Sequence, residues 1–276
     1  MTASLNRFKK PLLFVLALVP IAIVGGYFTG VYGWAELTDE VKSQILAQIG
    51  NNQDLYYLIT ALQTLLYALL FGFFGYIISD KTGLMRPLRF EKKPVMVTLG
   101  MTLFTGLVLC TDLFYFKNHI PQVAAMYQGK PSFAYWMASV LYGGVIEEVM
   151  LRLFMMSLIA YLAWKVFFRR EANPPTGVII AANIIAALLF AAGHLPSTMQ
   201  MFGEITPMIL LRCFLLNGAG GLVFGVPVPQ VRHSVFHAGP RRGTCSMEDH
   251  LDHFVTAMIL LIEKPAADAY NLIKEQ

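Results

Sequence analysis

Residues 133–168 read FAYWMASVLYGGVIEEVMLRLFMMSLIAYLAWKVFF, an apolar run that contains the ionisable residues Glu147, Glu148 and Arg152 near its centre. A helix of about 20 apolar residues crosses the hydrocarbon core of a bilayer, so this run is long enough to span a membrane. Ionised side chains at such depth are costly and need a structural or functional reason. The run therefore predicts a membrane helix that carries a polar site.

The composition of the whole chain also favours a membrane protein. Of its 276 residues, 56% are hydrophobic and only 14% are charged, and the mean hydropathy is +0.57. This is more apolar than the core of an ordinary soluble domain requires. We predict an all-α, polytopic helical membrane protein with about six transmembrane helices, within a domain covering 1–225. The six apolar runs lie near residues 11–33, 55–79, 94–116, 133–168, 176–195 and 207–225.

The basic residues predict the orientation, because Lys and Arg accumulate in cytoplasmic loops. Eleven lie on the side of the N-terminus and three on the other, which places the N-terminus in the cytoplasm. We interpret the first run as an uncleaved anchor and expect an integral protein of the bacterial plasma membrane. The net charge of +4 is explained by this topology, so we expect no nucleic acid partner. The eleven are Arg7, Lys9, Lys10, Lys81, Arg86, Arg89, Lys92, Lys93, Lys165, Arg169 and Arg170, and the three are Lys42, Lys117 and Lys130.

The same distribution requires the run 133–168 to cross only once, as a long or bent helix that is weakest at Gly143-Gly144. On an α-helix Glu148 and Arg152 lie about 40° apart and can form an ion pair. Glu147 points about 140° away from Arg152, so it must find a partner on another helix or face water. A carboxylate in that position suits a general base, whereas a structural salt bridge that locks helix packing remains the alternative.

The next run places Asn183, Phe190 and His194 on one stripe about 40° wide. A histidine at a helix end is often a capping residue, but beside a free glutamate His194 is the natural second member of a water-activating pair. Phe190 shapes the wall of the pocket, and with Asn183 it is a candidate substrate-binding residue. In the sixth run Arg212 lies about one turn from the non-cytoplasmic end and can snorkel to the interface, and Asn217 has no assigned role.

The motifs Glu147-Glu148-x-x-x-Arg152, Phe190-x-x-x-His194 and Gly221-Leu222-Val223-Phe224-Gly225 resemble, in this order, those of the CPBP family of intramembrane proteases. This family includes type II CAAX prenyl endopeptidases and bacterial bacteriocin-processing or immunity proteins, and is also called the abortive-infection family. The resemblance covers residues 133–225 and implies an endopeptidase acting on a peptide, either CAAX-like and prenylated or leader-bearing.

In such a protease Glu147 and His194 would activate a water that attacks a peptide carbonyl. Glu148 and Arg152 would be structural or substrate-orienting partners of this catalytic pair. The resemblance implies no cofactor. A metal site with Glu and His as ligands remains an alternative, although the HExxH spacing is missing.

The chain departs from the family after Gly225, where residues 226–276 form an atypical polar tail in place of a helix carrying a further histidine motif. Codons compatible with 226–252, read one nucleotide later, can encode an apolar helix with HxxxH, so we interpret the tail as frameshift-derived. The in-frame alternative is a cytoplasmic metal site. Its ligands would come from His233, His237, Cys245, Glu248, Asp249, His250, Asp252 and His253.

Two non-enzymatic alternatives remain besides the endopeptidase. A catalytically inactive family member, serving as an immunity or scaffold protein, would lack the histidine motif expected after Gly225, as this chain does. A transporter with a polar pathway should show paired repeats or matching broken spans in two halves, which the sequence lacks.

Overall fold

The computed structural model describes residues 2–84 and 92–224, which are helical and contain no strand. The predicted all-α class is confirmed. The helices are α1 (Thr2–Glu36), α2 (Asp39–Gln48), α3 (Gln53–Thr82), α4 (Lys92–Thr111), α5 (Lys117–His119), α6 (Pro121–Met126), α7 (Phe133–Met137), α8 (Ser157–Phe167), α9 (Thr176–Gly193), α10 (Leu195–Phe202) and α11 (Pro207–Phe224). Three π-helical segments accompany them, π1 (Asp112–Phe116), π2 (Ala138–Glu147) and π3 (Val149–Met156). The predicted tail 226–276 lies outside the described residues.

Three described helical stretches are each long and apolar enough to cross a membrane, namely Phe8–Glu36, Gln53–Thr82 and Thr176–Phe202. Pro207–Leu222 is a shorter apolar helix. The other two predicted runs are helical as well, since α4 continues into π1 and the run 133–168 is helical to Phe167. The protein is therefore an integral membrane protein built from several apolar helices.

The long helices α1 and α3 pack closely because glycines let their backbones approach. A Cβ added at Gly26 would lie 2.6 Å from the Cβ of Thr64, and one added at Gly30 would lie 3.0 Å from the Cα of Tyr57. Gly75 of α3 is in similar contact with the backbone of Leu153 in π3. Small residues are the usual means of close helix packing where lipid offers no hydrophobic driving force.

The run 133–168 is one long helix, as predicted, but much of it is not a regular α-helix. Its central part, from Ala138 to Met156, consists of π2 and π3 joined at Glu148, and Gly143-Gly144 lie inside π2. A π-helix closes i→i+5 hydrogen bonds and is found most often at functional sites. The angular positions derived from 3.6 residues per turn are therefore wrong in detail for the residues around Glu147 and Glu148.

Helix α9 packs against both this irregular helix and α11. Leu151, Met156 and Ala160 form a buried cluster with Ala182 and Ala186 of α9. Gly221 of α11 lies so near α9 that an added Cβ would be 2.8 Å from the Cβ of Ala187. This packing brings the three motif-bearing segments together.

Candidate active site

Glu147 and His194 meet at the ends of two helical segments. Glu147 is the last residue of π2, and His194 connects α9 to α10. Glu147 Oε1 lies 3.6 Å from His194 Nε2, and the two side chains are 22% and 29% exposed. The structure therefore brings together the two residues proposed from the sequence as a water-activating pair.

The proton arrangement of His194 follows from its other ring nitrogen. Nδ1 lies 2.8 Å from the carbonyl oxygen of Phe190, which can only accept, so Nδ1 donates this hydrogen bond. In the neutral imidazole Nε2 is then an acceptor that faces the Glu147 carboxylate. Two acceptors cannot bond to each other, but at 3.6 Å they can share a donor placed between them, whereas a protonated imidazole would form an ion pair with Glu147. The edge of the Phe190 ring fixes the imidazole plane, with ring centroids 4.5 Å apart at 68°.

Glu148 takes part in a separate network. Its Oε2 accepts from Arg152 Nε at 3.3 Å, so the expected ion pair is present. Arg152 also donates through Nη1 to Asn183 Oδ1 at 2.9 Å and through Nη2 to the carbonyl of Gly220 at 3.0 Å. Arg152 therefore joins π3 to both α9 and α11.

Asn183 is only 4% exposed and has both ends of its amide engaged. Its Oδ1 accepts from Arg152, and its Nδ2 donates to the carbonyl of Leu222 at 2.9 Å. Asn183 was predicted to bind substrate, but its amide is engaged with Arg152 and with the backbone of α11. Phe190, the other predicted substrate-binding residue, lines a cavity.

A cavity of about 170 Å³ lies beside both glutamates. Its lining residues come from the irregular helix, α4, α9 and α11. The cavity combines carboxylates with apolar surface, which is the usual character of a small-ligand site. It is lined by Gly143, Glu147, Glu148, Leu151, Phe190, Thr105, Leu109, Leu216, Asn217, Gly220 and Gly221.

Sequence reasoning missed the partner of Arg212. Its guanidinium does not snorkel away from the protein but forms a double hydrogen bond with Asp112, with Nε 2.6 Å from Oδ1 and Nη2 2.8 Å from Oδ2. Tyr127 donates to the same carboxylate at 3.2 Å. The available signal was one acidic and one basic residue, each near the end of an apolar run that the sequence predicts to be non-cytoplasmic.

The described residues hold no group of three or more His, Cys, Asp or Glu side chains arranged to bind a metal ion. The alternative metal site in the tail lies outside the described part of the chain. Glu147 and His194 are two ligand types that a metal accepts, but the described structure adds no third to them.

These features define a helical membrane protein with a carboxylate and an imidazole facing each other inside its helices. Residues 129–229 match the family model of type II CAAX prenyl endopeptidase Rce1-like. The match covers the part of the chain that carries the three motifs, and it supports a CPBP-type intramembrane protease of the CAAX class. No curated protein matches the chain. No solved structure matches it either.

Proposed function

We propose that this protein is an intramembrane endopeptidase in which Glu147 and His194 activate a water molecule. The observation that supports this most directly is the 3.6 Å approach of Glu147 Oε1 to His194 Nε2, with Glu147 lining the cavity. If a water oxygen lies about 2.8 Å from both atoms, the two atoms form an angle of roughly 80° at that oxygen. This angle lets the water donate a hydrogen bond to each of them. The pair is thus arranged to hold a nucleophilic water.

In the proposed reaction Glu147 takes one proton from this water as its oxygen attacks the carbonyl carbon of a peptide bond. The electron pair of the carbonyl moves to its oxygen, giving a tetrahedral intermediate. When the intermediate collapses, the C–N bond breaks, and the leaving amine receives the proton that Glu147 had taken. His194 keeps its acceptor nitrogen on the water and orients it, since its Nδ1 is fixed on Phe190.

Glu148 and Arg152 serve a different purpose in this proposal. Arg152 neutralises Glu148 locally, which leaves Glu147 as the carboxylate of the pair that is not engaged by the guanidinium. Two carboxylates in one cavity thereby have different environments, which is the usual way to give them different roles. Phe190 bounds the substrate site, and Asn183 acts through Arg152 as a positioning residue.

The substrate class proposed is a peptide, CAAX-like and prenylated or leader-bearing, that enters from the bilayer or from the cytoplasm. The excess of Lys and Arg on one side supports a cytoplasmic N-terminus and a bacterial plasma membrane location.

A second candidate is a catalytically inactive member of the family that acts as an immunity or scaffold protein. The observation in its favour is the sequence itself, because the histidine motif expected after Gly225 is absent as written. A shift of reading frame explains this absence, and sequencing the DNA across the codons for Phe224 to Val228 tests that explanation. An intact single frame, with related strains encoding the same tail, would refute it.

The function is tested with the 276-residue chain and a frame-restored chain, each purified in detergent and incubated with internally quenched CAAX peptides, prenylated and unprenylated. The resemblance implies that the histidine motif missing after Gly225 stabilises the oxyanion of the reaction. We expect cleavage by the frame-restored chain and little by the chain as written, because oxyanion donors commonly contribute about 10²- to 10³-fold. Glu147→Gln and His194→Ala should each lower the rate of the frame-restored chain by at least about 10²-fold.

His119→Ala is the matched control. His119 also directs Nδ1 to the carbonyl four residues earlier, at 2.8 Å, and stacks on Tyr115, but it is exposed and does not line the cavity. It should retain activity. Unchanged cleavage by either the Glu147 or the His194 variant would refute the water-activation assignment, and full activity of the 276-residue chain would show that the histidine motif missing after Gly225 is not required.

A further inference from the structure

Asn217 lies in the middle of α11 and lines the same cavity as Glu147, Glu148 and Phe190. Its Nδ2 donates to the carbonyl of Cys213 at 2.9 Å, one turn earlier on the helix. A carbonyl oxygen can only accept, so this bond decides which end of the amide is the nitrogen. The side-chain orientation is therefore fixed, with Oδ1 as the remaining acceptor.

The described residues place no hydrogen-bond donor on Asn217 Oδ1. A hydrogen bond to the helix's own backbone is a common arrangement for a polar side chain in a helix, and it accounts for one N–H of this amide. It does not account for the oxygen, which keeps access to solvent, since no fully buried side-chain oxygen of the described residues lacks a partner. Asn217 therefore presents an acceptor that the fold itself does not use.

The other polar groups of the cavity narrow the chemistry of a ligand. Glu147 and Glu148 present carboxylate oxygens, whereas Leu109, Phe190 and Leu216 make the surface between them apolar. The segment of a ligand that fits this lining offers hydrogen-bond donors, has no negative charge at this point and carries apolar side chains. The backbone N–H of a peptide with aliphatic residues meets both conditions.

The helix that carries Asn217 is held at both of its ends. Arg152 and Asn183 donate to the carbonyls of Gly220 and Leu222 on one side of Asn217. On the other side Arg212 is paired with Asp112. A site held by rigid elements positions its polar groups more accurately than a loop does.

We propose that Asn217 is a substrate-contacting residue whose Oδ1 accepts a hydrogen bond from a backbone N–H of the bound peptide. This inference rests on the proposed endopeptidase function and assigns Asn217 to substrate binding, separately from the activation of water by Glu147 and His194.

The test measures binding of a fluorescent prenylated CAAX peptide to the full 276-residue chain in detergent by fluorescence anisotropy. Asn217→Leu should weaken binding about tenfold, the usual effect of losing one buried hydrogen bond. Asn118→Leu is the matched control, because Asn118 makes the same bond to its own helix, from Nδ2 to the carbonyl of Phe114 at 2.9 Å, at an exposed position. Asn118→Leu should bind as the unaltered chain does.

A series of peptides in which each backbone N–H in turn is replaced by an ester oxygen identifies the contact. One ester position should weaken binding to the unaltered chain about tenfold and have no further effect on Asn217→Leu. Thermal unfolding in the same detergent should show that both variants are folded.

Three outcomes would overturn parts of this reasoning, and they are distinguishable. If Asn217→Leu binds as well as Asn118→Leu, or if every ester weakens both chains equally, Asn217 does not contact the substrate backbone. If the unaltered chain binds no peptide, prenylated or not, the proposed function fails and the contact with it. If Glu147→Gln leaves cleavage by the frame-restored chain intact while the ester coupling is observed, water activation is wrong and the Asn217 contact stands.

Discussion

The ion pair between Asp112 and Arg212 should be strongly coupled in a measurement of stability. Both hydrogen bonds are short, at 2.6 and 2.8 Å, and the side chains of Arg212 and Asp112 are only 18% and 12% exposed. The guanidinium also lies 5.4 Å from the centroid of the Phe202 ring. Asp112→Leu removes the carboxylate and leaves a largely buried cation without its counterion, a change that typically costs about 3–5 kcal/mol.

The double variant Asp112→Leu/Arg212→Leu should recover most of that loss. It removes both charges, and replacing a buried pair by apolar residues is often neutral. We expect Asp112→Leu alone to lower the free energy of unfolding by about 3 kcal/mol, and the double variant to lower it by about 1 kcal/mol. Arg212→Leu should cost less than Asp112→Leu, because Tyr127 still donates to the remaining carboxylate.

The assay is reversible unfolding of the full-length chain in mixed micelles of mild detergent and SDS, followed by circular dichroism. Lys42→Met serves as the control, since Lys42 pairs with the fully exposed Asp39 at 3.9 Å and its loss should change stability by less than about 1 kcal/mol. If the losses of unfolding free energy in the two single variants simply add in the double variant, Asp112 and Arg212 do not stabilise each other as their geometry indicates.

Three further predictions concern packing, positioning and titration. Gly26→Ala should destabilise the protein by about 1–3 kcal/mol, because the added Cβ would lie 2.6 Å from an atom of α3, whereas Gly33→Ala, with its nearest atom at 3.8 Å, should not; equal unfolding midpoints would contradict this. Asn183→Leu should lower stability by about 1–3 kcal/mol by leaving buried partners unsatisfied, and an unaffected unfolding curve would show that its two bonds are dispensable. Partial burial, and then the Asp112 carboxylate, raise the pKa of Tyr127 to about 12. The neutral phenol therefore contributes stability below pH about 10 that is lost as the pH rises through about 12. If an ultraviolet titration shows that the tyrosine signal removed by Tyr127→Phe titrates near pH 10, this prediction is wrong.

The class of the protein could be predicted from the sequence because hydrophobic length is a strong signal. An apolar run such as 133–168 has few alternatives to a membrane helix, and the resemblance of three short motifs is supported by the family model that matches residues 129–229. The pairing of Glu148 with Arg152 also followed from sequence, since residues four apart on a helix are neighbours. These conclusions required only the spacing of residues within one apolar run or one helix.

The remaining contacts depend on which helices pack together, and spacing within one helix does not determine that. The bond from Asn183 to Arg152 joins residues on two different helices, and the pairing of Arg212 with Asp112 joins positions 100 residues apart. The π-helical segments around Gly143 were not predictable from a regular wheel either, because the sequence signal of a weak point does not specify the hydrogen-bond pattern that replaces the α-helix.

The position of α11 links the described scaffold to the question of the tail. The carbonyls of Gly220 and Leu222 in α11 accept hydrogen bonds from Arg152 and Asn183, which belong to earlier helical segments. These contacts, and the approach of Glu147 to His194, are made entirely by residues before the point at which the sequence departs from the family. The frame of the residues after Gly225 should therefore decide whether the oxyanion donors are supplied, while the pairing of the two proposed water-activating residues should be the same with either tail.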